Sequence, residues 1–435
     1  MLKLKSTALK RTLLLLIIIC FSISARAQWA SQTTGQVSNS QVLSISPVNN
    51  NVVWAITSAN ELLRTTNGGA TWTVSSLIAA TGFPMIEVNC ITALDASTAW
   101  ITTVEAGFPS ASISGVFKTT DGGQTWTQQT IGYNGNSWPN MIHFFNSNDG
   151  VTMGDTNGGY FEIYTTSNGG STWSRVPLSN LPAPDGNNDV GTGGDLYAVS
   201  GNTIWISVLG MRVLKSNDKG LHWTVANTGL TQAGPNNLPL GLAFSDINNG
   251  LVLANSQLKR TTDGGQTWTT VNYTGPVKFY LSNVPGATNT YISTGPGGTR
   301  PVGSSYSNDG GNTWISLENT IQHRLPRFYS PTSGWTGGVN TLYKFSSTVL
   351  GLNDFSRVNS FFISPNPSTG VFTITNPTNQ PFRLEVFSSF GVSVLQQQGS
   401  RFGSTRLDLT AQPKGMYLVR IYSRGQIITK RIIIQ

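Results

Sequence analysis

Short apolar runs alternate with turns of Gly, Asn, Asp and Ser along most of the chain, with the two-residue period of strands and no sustained helical period. A representative pair is Met141 to Phe145 followed, after a turn, by Gly150-Val151-Thr152-Met153-Gly154. The same pair recurs seven times, its second strand beginning near Val52, Thr98, Gly150, Thr203, Gly250, Thr290 and Gly334. Six of the seven pairs lead into an octapeptide of one design, S/T-x-D/N-x-G-x-T-W. These boxes are Thr65 to Trp72, Thr119 to Trp126, Thr166 to Trp173, Ser216 to Trp223, Thr261 to Trp268 and Ser307 to Trp314, with His222 replacing the Thr in the fourth. Trp-to-Trp spacings of 54, 47, 50, 45 and 46 residues suit a repeating unit of four short strands.

The residue types explain the turn. Asn67, Asp121, Asn168, Asp218, Asp263 and Asp309 each offer an oxygen to backbone N–H groups inside the box, and the Gly tolerates positive φ. Trp72, Trp126, Trp173, Trp223, Trp268 and Trp314 are then expected to pack between units. The boxes resemble the Asp-box (BNR) repeat of sialidases, photosystem II assembly factors and sortilin-like receptors. That resemblance implies a β-propeller in which each box joins the third and fourth strands of a blade. Seven strand pairs predict seven blades, yet the last runs through Trp335 to Leu342-Tyr343-Lys344 and has no box. Gln28 to Gly35 mimics Thr125 to Gly132, so residues 28 to 34 are expected to close the ring as the missing fourth strand, with Trp29 as its Trp.

The ends of the chain read as addresses. Lys3, Lys5, Lys10 and Arg11 precede the apolar run Leu13 to Ile19 and then Ala25-Arg26-Ala27, the pattern of a signal peptide over 1–27. Its apolar stretch is too short to span a bilayer. The propeller is assigned to 28–346 and a linker to 347–360. Beyond it, 361–435 carry Pro365-Asn366-Pro367, a Gly370 turn, a Phe387 to Gly391 hairpin, Leu407-Asp408-Leu409, Gly415-Met416-Tyr417 and terminal Lys430-Arg431-Ile432. In that order they resemble the type IX secretion sorting domain, type A, a small Ig-like β-sandwich. The resemblance implies export through the type IX translocon, removal by a sorting peptidase, and an extracellular or outer-membrane-surface location without a transmembrane segment in the mature chain.

Composition adds limits. Charged residues make up only 11% of the 435 and Gly numbers 47, as expected for a turn-rich all-β protein. Five basic residues fall in 1–27, so the formal charge drops from +8 to +3 without them. The propeller carries −3, against nucleic-acid binding, and the C-terminal domain +6. After residue 27 the only cysteine is Cys90, in the strand pattern Val88-Asn89-Cys90-Ile91, so no internal disulfide forms and the thiol reads as a buried small hydrophobe.

Box turns follow strand three, whereas the long irregular segments 78–87, 104–114, 132–140, 177–195, 295–304 and 321–324 follow strand two or four and gather on the other face. Loops on a rigid scaffold are where binding residues concentrate. Phe83, Phe108, Tyr133, Trp138 and Tyr160 are candidate stacking platforms there, with Arg300 supplying charge. Asp185, Asn187 and Asp189 alternate oxygen ligands that suit Ca²⁺, though no Glu completes a twelve-residue loop; no other cofactor is expected. Two functional classes remain open. One is a non-catalytic module for extracellular glycan or protein. The other is the glycoside hydrolase that the sialidase resemblance implies, with Arg212, Arg300 and Arg324 holding a carboxylate and Glu105 and Glu318 as acids. Arg324-Leu325-Pro326 resembles the sialidase Arg-Ile-Pro motif but lies in the last blade, where the family has it in the first. No nucleophile elbow, zinc-binding helix or phosphate loop occurs, and His143, His222 and His323 fall on separate blades.

Overall fold

The computed structural model describes residues 28–37, 39–83, 86–105, 115–133, 137–185, 196–231, 241–346, 361–376, 381–389, 391–400, 404–423 and 426–435; the signal-peptide assignment lies outside them. The chain divides into two compact units, Met1–Ser347 and Thr348–Gln435. Among the described residues helix is confined to Leu77–Thr81 and a single 3-10 turn at Leu178–Asn180.

Among its described residues the first unit holds seven four-stranded antiparallel sheets. Second strands start at Val53, Ala99, Gly150, Thr203, Gly250, Tyr291 and Ser333, each within one residue of the position expected from the pattern. First strands of successive sheets lie side by side at every junction but that of sheets 3 and 4, and that of sheet 7, Arg324–Ser330, lies beside that of sheet 1, Val42–Pro47. Sheet 7 is assembled from both ends of the unit: Trp29–Ser31 pairs antiparallel with Leu342–Phe345, with Trp29 opposite Phe345. Trp29 is 2% exposed, and its ring lies 5.0 to 6.0 Å from His323, Phe345 and Phe328.

Each box closes as its chemistry dictates. In the second, Asp121 Oδ1 accepts from the N–H of Gln124 at 2.9 Å and of Thr125 at 3.0 Å, while the Thr125 hydroxyl donates to Oδ2 at 2.6 Å. These bonds hold the Asp121 carboxyl down at about 2. His222 fills the Thr role in the fourth box, its Nδ1 lying 2.6 Å from Asp218 Oδ2. The box tryptophans divide: Trp126, Trp223 and Trp314 are buried, whereas Trp72, Trp173 and Trp268 are half-buried. The deepest inter-sheet anchors are instead the second-strand tryptophans Trp54, Trp100, Trp205 and Trp335, all fully buried.

On four of the seven sheets a cation on the third strand ties the sheet to the next. Arg64 donates to the Gly122 carbonyl at 2.6 Å, Lys118 to Gly169 at 2.9 Å, Arg260 to Gly310 at 3.4 Å, and Lys344 of sheet 7 to Gly68 of sheet 1 at 2.6 Å. The Arg64, Lys118 and Lys344 heads also sit 5.0 to 5.5 Å from the second-strand indole of their own sheet. Sheet 3 has Thr165 at this position, and there the tie reverses: Lys219 in the fourth box reaches back to Asp149 at 2.5 Å.

In the second unit, a three-stranded sheet and a four-stranded sheet enclose Phe361, Phe372, Leu384, Val386, Leu407, Val419, Ile421 and Ile432. Asn366 bridges to the last strand, donating to the Arg431 carbonyl and accepting from the Ile433 N–H, both at 2.9 Å. The Pro-Asn-Pro signature thus pins the start of the domain to its C-terminal strand.

Candidate binding face

The boxes are committed to structure. The N–H groups of Gly68, Gly122, Gly169, Gly264 and Gly310 donate at 2.8 to 3.1 Å to carbonyls of Asn51, Ser97, Asn148, Asn248 and Asn289, each in the strand one to two turn of its own sheet. Lys219 N–H does the same to Asn202 at 2.9 Å. Box turns and these hairpins therefore share one face, and the connections after strands two and four share the other.

On that other face the first strands begin, and those of sheets 4 to 7 line a small pocket. Leu325, Pro326 and Arg327 line it from sheet 7, and Leu196, Leu242, Tyr280 and Leu281, all buried, back it from sheets 4 to 6. Arg327 of sheet 7 reaches across to sheet 4: its guanidinium carbon lies 5.2 Å from the Tyr197 ring centre, and Nη1 donates to the Tyr197 carbonyl at 3.4 Å. Tyr197 in turn lies 5.6 Å from the His143 ring of sheet 3. Residues 54 and 130 positions apart along the chain from Tyr197 thus meet it at the axis, a convergence that strand periodicity does not signal.

Burial and the Arg327 charge hold the His143 imidazole down at about 4. The unfolded chain's histidine takes up its proton near 6.5, so stability is present above that pH and is lost as pH falls toward about 4, on the order of 2 kcal/mol by pH 5. Denaturant unfolding at pH 7 and pH 5 should show His143→Phe losing less than the parent by about that amount. Equal losses would contradict this placement of His143.

The residues singled out from sequence have separate fates. Phe108, Asn187 and Asp189 lie outside the described residues, as does the Glu105 side chain at the end of its strand. Tyr133 is no platform: it is 5% exposed, bonds the Thr152 hydroxyl at 2.9 Å, and is pushed well up by burial. Phe83 is half-buried and packs edge-on against Phe117 at 5.5 Å, so it serves the core of sheets 1 and 2. Trp138 is half-buried. Tyr160 lies under Arg175, whose guanidinium sits 4.4 Å above its ring. Arg300 is exposed and stacks on Phe279 at 3.7 Å; its segment is largely paired strand, with only 297–301 turning.

The three arginines each take a local position. Arg212 donates to the Ala183 carbonyl at 3.2 Å and feels the Asp185 carboxylate. Arg324 opens the first strand of sheet 7, its Nε buried without a hydrogen-bond partner. Glu318 is a structural acid. It accepts from Ser304 Oγ at 3.2 Å and from the N–H groups of Thr320 and Ile321 at 2.8 Å, and lies 3.0 Å from His323 Nε2. Although its partial burial raises its pKa, these partners prevail and hold it at about 2. Through Ser304, which accepts from Trp29 Nε1 at 2.9 Å, it supports the N-terminal strand. Cys90 is buried against the Ile142 carbonyl. Among the described residues no three His, Cys, Asp or Glu side chains gather as a metal site, and no helix is long and apolar enough to cross a membrane.

An all-β unit of successive four-stranded sheets defines a β-propeller, and solved structures share that fold. YCF48 bound to D1 peptide matches at 17% identity and a TM-score of 0.55, over 74% of this chain and 97% of that one. An ancestral GH74 enzyme matches at 12% identity and 0.52, over 93% and 63%. The extracellular domain of a hybrid two component system from B. thetaiotaomicron matches at 11% and 0.50, over 94% and 58%. No curated protein matches the chain. Residues 363–435 match the secretion system C-terminal sorting domain. The chain is thus a β-propeller with a sorting tail that implies type IX export to the cell surface or extracellular space.

Proposed function

We infer that the seven sheets are the blades of an Asp-box propeller closed by Trp29–Ser31, and that it is an extracellular binding module without catalysis. The observation that carries this is the division of the two faces. The box face is occupied by its own hydrogen bonds, whereas the opposite face carries the connections after strands two and four and a small pocket with Arg327 in its lining. Glycosidic hydrolysis needs one carboxylic acid raised toward neutrality. Of the two acids expected in that role, Glu318 is held at about 2 by closure contacts, and the Glu105 side chain lies outside the described residues. A fold shared with an enzyme does not transfer its chemistry. The ligand class is extracellular glycan or protein.

Glycan and peptide arrays probed with the full chain, alongside fluorogenic sialoside and polysaccharide substrates, test this reading. Capture without turnover is expected. Turnover lost in Arg300→Ala would replace the module with a sialidase-like hydrolase.

A further inference from the structure

We propose that the sorting domain docks by strand addition: the open edge of its last strand, Gln426–Ile434, accepts an extended acidic segment of the export machinery as a further strand. This goes beyond the binding reading of the propeller and concerns the second unit alone. The last strand is an edge of the four-stranded sheet and pairs only with Gly415–Ser423. Its ladder runs from Gly415 opposite Ile434 to Ser423 opposite Gln426 without a register shift. The C-terminal part of its free edge is claimed within the domain. The Ile433 N–H donates to Asn366 Oδ1 at 2.9 Å, and the Ile433 and Arg431 carbonyls accept from the Ser368 N–H at 3.0 Å and Asn366 Nδ2 at 2.9 Å. Backbone groups alternate sides along an antiparallel strand, so the odd-numbered residues turn theirs away from the sheet. Ile427 and Thr429 thus present both N–H and C=O at the edge, and Arg431 its N–H. Among the described residues no strand pairs with them.

Soluble proteins blunt an exposed edge with a bulge, a Pro or a very short strand. The other edge strand of this sheet, Ser393–Gly399, follows that rule: its register shifts beside Phe387, and Gln397 donates to the Arg406 carbonyl of the three-stranded sheet at 3.1 Å. Gln426–Ile434 has neither bulge nor Pro, and five of its nine residues are Ile, a composition that favours further pairing. A row of alternating N–H and C=O groups is matched by another strand, which carries the same groups at the same spacing; a lipid headgroup does not. Charge then selects the strand. Lys430 and Arg431 on the edge repel a second copy laid against it. Both acids of the domain are already engaged, Asp408 at 3.0 Å from Arg406 and Glu385 at 3.9 Å from Arg383. Exposed Arg420, opposite Thr429 on the neighbouring strand, stacks on Phe387 at 4.7 Å. Among the described residues neither Arg420 nor exposed Arg431 has a carboxylate partner. The edge and the sheet face beside it are therefore positive, within a domain of charge +6, and a strand with Asp or Glu at alternate positions answers both the backbone and the charge.

The test is fractionation of bacteria that carry type IX secretion and express the full chain or its edge variants. Thr429→Pro removes an outward N–H and no hydrogen bond of the domain, a change that an edge strand tolerates. It should cut the exported fraction at least ~10-fold, and Ile427→Pro should do the same. Thr429→Ala keeps the N–H and should retain most of the export. Arg431→Glu should fall as far as the proline variants, with Arg431→Lys keeping part of the export. Thermal melts matching the parent establish that each variant is folded; if one proline variant melts early, the other and Arg431→Glu decide. Folded proline variants exported at the parental level would overturn strand addition. So would equal losses in Thr429→Ala and Thr429→Pro, which would assign the contact to the side chain. Loss in Arg431→Glu beside normal export of the proline variants would replace the added strand with a charged surface such as lipid headgroups. A parent chain that stays in the periplasm would retire this inference together with the sorting role of the tail, and leave the binding reading of the propeller standing.

Discussion

Deleting residues 28–35 should lower the thermal midpoint of the chain and make it prone to associate. The deletion strips Leu342–Phe345 of its antiparallel partner and leaves an open sheet edge. It also removes Trp29, which fills the space between His323, Phe328 and Phe345 and donates to Ser304. Trp29→Ala alone should cost about 3 to 5 kcal/mol, roughly 5 to 10 °C in a unit of this size. Glu318→Gln should cost less, because it weakens the Ser304 and His323 contacts without opening a cavity. Calorimetry of the three variants gives the ranking. A deletion variant melting with the parent would show that the seventh sheet does not depend on its N-terminal strand.

Removing residues 360–435 should abolish export while leaving the propeller folded. The two units have separate cores, so the truncated chain keeps every sheet of the first. The sorting match spans 363–435, and Asn366 fastens its first residues to the last strand, so partial truncation should fail as completely as full removal. Fractionation of cells expressing the truncated chain is expected to find it in the periplasm, protease-resistant, with none outside. Export at the parental level would contradict the role of the tail.

Much of this architecture is legible in sequence because its causes are local. A box needs Asp or Asn two residues after Thr or Ser, Gly at a positive φ and Thr to close the ring of bonds, and Gly123 shows why: at φ 86° a Cβ there would collide with Leu62 of the preceding sheet. Trp29 is legible as a fourth-strand residue because its neighbours repeat a box flank. The ladder from Arg64, Lys118, Arg260 and Lys344 is legible as a repeated position, but its carbonyl targets on the next sheet are not.

The site was harder to read, since ring closure decides it. Nothing near Arg327 in the chain points to Tyr197, and nothing near Tyr197 points to Arg327; they meet because sheets 4 and 7 face the same axis. Tyr133 reads as a loop aromatic, yet its segment folds back onto sheet 3, where Gly154 leaves room for its ring. Glu318 reads as a loop charge, but the Thr320 and Ile321 amides and His323 absorb it into the closure. The one local clue to the pocket was Arg324-Leu325-Pro326, which signals a distorted strand more than a catalytic motif.

The central claim, that the chain binds its ligand on the face opposite the boxes, is tested most directly by covering each face in turn. Cys90 is the only cysteine after residue 27 and is fully buried, so a maleimide polymer will report a single introduced thiol. Thr299 is exposed in the turn after the second strand of sheet 6, and Gln124 is exposed in the second box. Attached through Thr299→Cys, the polymer should block capture of array ligands; attached through Gln124→Cys, it should leave capture unchanged. Blocking from the box position alone would place the binding surface on the wrong side of the disc and contradict the account.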